Sequence, residues 1–165
     1  MSDEPQTQSA HQTPPSSGTH QLRVRYVECD PMGVVHHSSY LPWMEMGRTE
    51  LLRAVGESYA ALEEAGVFLV VTKVEMKYRR PIKYDDVIEI RTQVDKASKV
   101  KLHHSYEIAL LERGGTPPDP SDPSVPTDGI CAIASTELAC VGSDGRPKAM
   151  PEWLMGYLHQ PLNRL

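Results

Sequence analysis

The chemistry legible in this chain starts from one acid and one helix start. Asp30 stands in the run Asp30-Pro31-Met32-Gly33, and His37, Ser38, Ser39 and Tyr40 lead into a segment with helical spacing. Pro31 presets φ near −65° for the first turn position, and Gly33 supplies a position where φ can be positive. Ser39 is the predicted N-cap. Pro42 is then the third helical residue, where no carbonyl awaits its missing N–H; a cap at Ser38 would place Pro42 where a bond is lost. A helix N-terminus presents unpaired N–H groups and a partial positive charge. A carboxylate across a glycine turn from such amides is an acid or nucleophile facing an oxyanion site, the pairing that acyl transfer needs. Asp beside Pro and Gly is common in turns by itself. The helix start downstream is what turns the reading toward catalysis.

The other candidates read more plainly. His103 and His104 alternate on one strand and face opposite sides, and no third ligand stands at zinc-like spacing, so no metal site is expected. Glu45 and Arg48 read as a surface pair on the helix. Cys29 precedes the acid and faces away from it, as core.

Several elements must position these groups. Residues 1–20 are Ser, Thr, Gln, Pro and Gly with almost nothing to bury, which predicts a disordered tail ahead of a domain over 21–165. Leu22, Val24 and Tyr26 alternate with Arg23 and Arg25 as a first strand ending at the Asp30 turn. The helix runs from about Tyr40 to Val55 with an apolar stripe and stops at Gly56. Gly47 near its middle costs about 1 kcal/mol against Ala, which points to close packing against another backbone. Ser58 opens a short helix from Tyr59 to Ala65. Period-2 alternation then marks strands around Val74–Tyr78, Ile88–Val94 and Val100–Leu110, and a last strand runs from Ile130 to Val141. Between the last two, residues 114–129 carry Pro117, Pro118, Pro120, Pro123 and Pro126, an extended, mobile insertion at a hairpin tip. Pro151 opens a short C-terminal helix. A single long helix covers one face of such a sheet, so the second face calls for a partner subunit.

Composition bounds the rest. At 165 residues with a net charge of −5, the chain suits one domain and is a poor candidate for nucleic-acid binding. No apolar run approaches the roughly 18 residues of a membrane span. The cysteines Cys29, Cys131 and Cys140 lack C-x-x-C spacing and no secretory leader opens the chain, so reduced thiols in the cytoplasm are expected.

The run Asp30-Pro31-x-Gly33-x-Val35-x-His37-x-x-Tyr40, followed by Trp43-x-Glu45 and Arg48, resembles the 4-hydroxybenzoyl-CoA thioesterase family of hotdog-fold proteins. It is especially similar to the bacterial acyl-CoA thioesterases associated with the Tol–Pal envelope system. The resemblance covers about Gln21 to Val141 and is specific in its first third. It implies an α+β hotdog fold, a five-stranded antiparallel sheet wrapped around one long central helix, assembled as a homodimer or homotetramer. It implies Asp30 as the catalytic carboxylate, either nucleophile or general base, and a backbone N–H at His37 that polarises the thioester carbonyl. In the Tol–Pal branch the His37 side chain also has a catalytic role. Gly33, Ser38 and Tyr40 would support the turn and the oxyanion site. No metal or redox cofactor is implied, since coenzyme A is part of the substrate. Its phosphates would meet basic turns, with Arg79, Arg80, Ser98, Lys99 and Arg146 as the candidates. The chain departs from the family in the 114–129 insertion and in His36 beside His37.

On these grounds the expected function is hydrolysis of an acyl-CoA or acyl-carrier thioester to free acid and thiol. A hotdog hydratase or dehydratase, and a non-catalytic acyl-CoA or acyl-carrier adaptor, stand as the alternatives. The sequence leaves open the acyl group, the thiol carrier and the choice between nucleophile and base.

Overall fold

The computed structural model describes residues 12–159. In chain order these form β1 (Ser17–Arg23), α1 (Tyr40–Arg53), α2 (Tyr59–Glu64), β2 (Phe68–Tyr78), β3 (Val87–Ser98), β4 (Lys101–Glu112), β5 (Ile130–Val141) and α3 (Glu152–Met155). Short 3₁₀ turns lie at Tyr26–Glu28, His37–Ser39 and Gly156–His159. The strands make one sheet in the order β1-β3-β4-β5-β2, antiparallel at every step. This is the α+β arrangement of five antiparallel strands and one long helix that the motif resemblance implies.

The first strand starts earlier than its apolar alternation suggests. Residues 1–11 lie outside the described residues, but Ser17–His20 pair with β3 and belong to the sheet rather than to a disordered tail. Their composition misleads for a physical reason. A Cβ on Gly18 would come within 2.8 Å of Leu51 Cδ2, so α1 sits directly over this stretch and requires small residues there. At its other end the strand stops at Arg23. Tyr26 and Val27, expected in the strand, turn out into solvent in the 3₁₀ turn, each 80% exposed.

Helix α1 buries Tyr40, Trp43, Met44, Gly47, Arg48, Leu51 and Leu52, and packs on β1 and β3. Each large apolar side chain removed from water in this way stabilises the fold by about 1.5–3 kcal/mol. Gly47 is needed for close approach, although its neighbours are side chains and not backbone. A methyl group there would collide with Thr92 Oγ1 and come within 3.1 Å of Ile90 Cγ2. Gly56, with φ of 77°, ends the helical segment as its position predicts. Ser58 Oγ caps α2 by accepting from the Ala61 N–H at 3.2 Å.

The two faces of the sheet differ. Ile88, Ile90, Val94, Tyr106, Ile108 and Leu138 point to α1 and are buried. The opposite face carries its own charge lattice, with Arg91 bridging Glu89 (2.9 Å) and Glu107 (3.3 Å), and Lys101 on Glu137 (2.7 Å). These charges make much of that face polar, although Ile133 on β5 is exposed there. More uncovered apolar surface lies along β2, an edge strand, where Val70, Val71, Val74 and Tyr78 are exposed.

Residues 114–129 are irregular, as their prolines require, yet they are anchored rather than loose. Arg113 makes a two-pronged bond to the buried Asp86 (3.1 and 2.8 Å) and also donates to Ser124 Oγ at 2.8 Å. Val125 packs against the core. Asp119 and Asp122 fold their own turns by accepting from the N–H groups of Ser121 and Ser124.

Candidate active site

The Asp30 turn is a small closed hairpin. Gly33 N–H donates to the Asp30 carbonyl and Asp30 N–H to the Val34 carbonyl, both at 2.9 Å, while Gly33 takes φ of 76°. A tight turn followed by a left-handed glycine is the usual three-residue hairpin connection. The Asp30 carboxylate is half-buried, and its Oδ1 accepts from Met32 N–H at 2.8 Å. No other polar partner of that carboxylate occurs among the described residues.

Two residues earlier, Glu28 clamps this hairpin to the helix. Its buried carboxylate accepts from Trp43 Nε1 (2.9 Å), from Arg25 N–H (2.7 Å) and from the Arg25 guanidinium (2.9 Å). Its carbonyl accepts from His36 N–H (2.8 Å) and Ser39 Oγ (3.1 Å). Burial pushes the Glu28 carboxyl up, but the hydrogen bonds from Arg25 and Trp43 outweigh it and leave the group below its ordinary value. Sequence reasoning passed over Glu28. The available signal was an acid and a tryptophan flanking a predicted turn, two types that seldom bury without partners.

The helix head differs in detail from the expected cap. Ser39 has helical dihedrals and its hydroxyl goes to Glu28, so it does not cap α1. The 3₁₀ turn His37–Ser39 precedes the helix, and His36 is the residue that caps it. His36 Nδ1 accepts from Ser38 N–H at 3.3 Å and lies 2.7 Å from Ser38 Oγ. His36 also takes the Ser39 N–H on its carbonyl at 3.0 Å. The N–H of His37 has no acceptor among the described residues. The exposed His37 ring lies against His36, tilted by 38° with centroids 4.0 Å apart.

Asp30, His37, Tyr40, Tyr78, Arg79 and Arg80 line one open cleft of about 370 Å³. Tyr40 is buried beneath it, packed edge-on against Tyr78 with ring centroids 5.1 Å apart. Burial pushes the Tyr40 hydroxyl well above the usual phenol range, so it stays protonated. Tyr78, half-exposed on β2, reaches the His37 carbonyl at 3.5 Å. Arg79 donates to Asp128 at 2.7 Å; Arg80 is exposed and has no ion pair among the described residues. A second cleft of about 310 Å³ follows α1 from Leu41 to Arg48, with Val71 and Val74 of β2 as its other wall.

The structure brings together Asp30, Gly33, His37, Ser38, Tyr40, Arg79 and Arg80. It separates Ser98, Lys99 and Arg146 from them. Asp30 lies near the start of β3, through the bridge between Val34 and Lys83, whereas Ser98 ends that strand. A strand of this length spans roughly 35 Å. Lys99 neighbours the Met150 N–H, and Arg146 follows the end of β5, so both sit at the far end of the sheet. Sequence alternation alone could not reveal which ends of the strands coincide.

Arg48 is also placed differently from the surface pair read in the sequence. It is 8% exposed, donates to Glu45 (3.0 Å) and to Tyr59 (3.1 Å), and lies under the helix near His104. The position of Arg48 on the sheet-facing side of α1 is the cause. Among the described residues no three His, Cys, Asp or Glu side chains are placed to hold a metal ion.

Comparison with known proteins follows the same lines. The pattern of the thioesterase-like superfamily matches residues 24–158. The chain is 35% identical over 142 residues to YneP of Bacillus subtilis (strain 168), spanning 83% of this chain and 92% of that protein. It is 41% identical over 91 residues to the acyl-CoA thioester hydrolase YbgC of Escherichia coli O157:H7, spanning 55% of this chain and 68% of the relative. Its fold is similar to the crystal structure of a DHNA-CoA thioesterase from Staphylococcus aureus, with a TM-score of 0.70 at 26% identity over 87% of each chain.

Proposed function

The chain belongs to the thioesterase-like superfamily and is a thioester hydrolase, and from that premise we propose that it hydrolyses acyl-CoA with Asp30 as the acting carboxylate. The observation that carries this reading is the shared cleft. Asp30 and His37 line the same space, and the His37 N–H has no acceptor among the described residues.

The thioester carbonyl carbon lies between them, with its oxygen toward the His37 N–H. Asp30 Oδ1 is steadied by Met32 N–H, which leaves Oδ2 to act. As general base, Oδ2 takes a proton from water while the hydroxyl adds to the carbonyl carbon. The tetrahedral adduct then collapses by breaking the C–S bond, releasing the acid and the thiolate, which takes up the proton. As nucleophile, it forms a mixed anhydride and expels the thiolate, and water then cleaves the anhydride. In both routes negative charge develops on the carbonyl oxygen, where an amide donor is worth roughly 10²–10³-fold in rate. The acyl group follows the apolar cleft along α1, between Leu41 and Val74. No metal or redox cofactor takes part.

The functional unit is a homodimer. An exposed, eleven-residue edge strand with Val70, Val71 and Val74 uncovered is a template for pairing with a second copy. Two-fold antiparallel pairing of two β2 strands extends the sheet. It also carries the far end of the second copy, with Ser98, Lys99 and Arg146, toward the Asp30 end of the first.

Thiol release from a panel of acyl-CoAs tests the proposal. Asp30→Asn should lose release while keeping its melting temperature; release that persists in Asp30→Asn removes the role given to this carboxylate. Single-turnover hydrolysis in oxygen-18 water identifies the nucleophilic route, because label in Asp30 arises when water opens the mixed anhydride at the Asp30 carbonyl.

A further inference from the structure

The proline-rich segment between β4 and β5 brings its own charges to the cleft. Residues 114–129 hold Asp119, Asp122 and Asp128 and no Lys or Arg. Asp128 Oδ2 accepts from Arg79 Nη1 at 2.7 Å, on the rim of the Asp30 cleft. Asp128 is fixed from its own side as well. Its other oxygen accepts from Ile130 N–H at 3.0 Å, and the following Gly129 carbonyl accepts from Leu110 N–H at 2.9 Å. The neighbouring Pro126 is buried. Of the two guanidiniums lining this cleft, one is therefore masked by the insertion, and Arg80 has no ion pair among the described residues.

We infer that Asp128 is a specificity-determining residue: by occupying Arg79 it competes with the phosphates of the thiol carrier and lowers the preference of this cleft for phosphate-bearing thioesters. The inference rests on the thioester-hydrolase reading and adds which part of the substrate is discriminated. A guanidinium binds carboxylate and phosphate through the same fork of donors, so the two anions exclude one another at Arg79. The pair is partly exposed, with side chains 34% and 50% accessible, the regime in which an ion pair is weak enough to be displaced. The Arg79 hydrogen bond, followed by that from Ile130, holds the Asp128 carboxyl below the usual carboxylate range, so the competitor is ionised at neutral pH.

Calorimetric titration of the full chain with coenzyme A, and separately with pantetheine, which lacks phosphate, tests this directly. Asp128→Asn keeps an acceptor for the Ile130 N–H, removes the charge and turns an NH2 group instead of an oxygen toward Arg79. Coenzyme A should bind Asp128→Asn about two- to fivefold more tightly than the parent, and the gain should fade as salt rises. Pantetheine binding should not change, and the gain should vanish in an Arg79→Gln background. In steady state the same effect appears as a lower KM for acyl-CoA at unchanged kcat, with acyl-pantetheine unaffected. An unchanged coenzyme A affinity, no coenzyme A binding by either form, an equal change for both ligands, or a gain that survives in Arg79→Gln overturns the inference. Because this binding is measured without turnover, a chain that binds coenzyme A but releases no thiol would refute the hydrolase reading and leave the Asp128 result standing.

Discussion

Glu28 and Asp30 stand two residues apart in one stretch, yet their surroundings assign them opposite work. Glu28 is 6% exposed, and its carboxylate is filled by an indole, a backbone amide and a guanidinium. Asp30 is half-buried, accepts from a single backbone amide among the described residues and lines an open cleft. A carboxylate saturated with donors holds structure, because breaking any of those bonds strands a buried polar group. A carboxylate with an oxygen left over can take a proton or attack a carbonyl. The difference teaches that availability, and not residue type or burial alone, separates the reactive acid from the structural one. The first depends on the second: Glu28 ties the hairpin to α1 through Trp43, His36 and Ser39, and so sets where Asp30 points.

The comparison breaks most visibly in kinetics. Asp30→Asn is expected to cut kcat by about 10²–10⁴-fold, the usual worth of a positioned acid or base, with an unchanged melting temperature. If it instead unfolds the protein while activity per folded molecule survives, the two acids have been assigned the wrong way round. Glu28→Ala should act first on stability, and on kcat only through the aim of Asp30. Leaving the buried Trp43 Nε1–H unpaired costs about 1–3 kcal/mol, readable as a fall in the denaturant midpoint. A cycle of Glu28→Gln with Trp43→Phe sharpens the point, since a real contact should couple by about 0.5–3 kcal/mol.

Acid titration gives a third, smaller test. The Glu28 carboxyl lies below its ordinary value of 4.5 in the fold, so its contribution is fully present above that pH and is lost as pH falls through the folded value. His104 adds a second window. Burial first, then the Arg48 and His103 charges, pushes its imidazole from 6.5 down to about 3. The unfolded chain therefore binds a proton that the fold refuses between these values, and stability falls as pH drops from 6.5 toward 3. The slope from this group reaches up to about 1.4 kcal/mol per pH unit. His104→Phe should flatten the curve between pH 6.5 and 4.5, and Glu28→Gln should flatten it only below about 4.5. The smallest expected effect is at the helix head. His36→Ala removes the acceptor for Ser38 N–H and should lower stability by about 0.5–2 kcal/mol, as other caps do.

Much of this was legible in the residues themselves. Period-2 alternation located β3, β4 and the second half of β2, Gly56 and Ser58 marked where one helix stops and the next starts, and Pro31 with Gly33 specified the turn that carries Asp30. These signals are local, because a turn type or a cap is decided by the dihedral preferences and short-range bonds of a few neighbouring residues. The start of β1 was hidden, since Gly18 is small on account of Leu51, a helix residue far along the chain.

What the sequence by itself determined about this protein is a strand-turn-helix stretch with an acid at its bend, followed by antiparallel strands. Tertiary structure alone decided that Glu28 is filled, that Arg48 lies beneath the helix, that Ser98, Lys99 and Arg146 stand at the opposite end of the sheet, and that Asp128 meets Arg79. Each of these is a contact between residues distant along the chain. Alternation says which face a side chain takes, but register and strand order say whom it meets, and those are set by the packing of the whole sheet against α1.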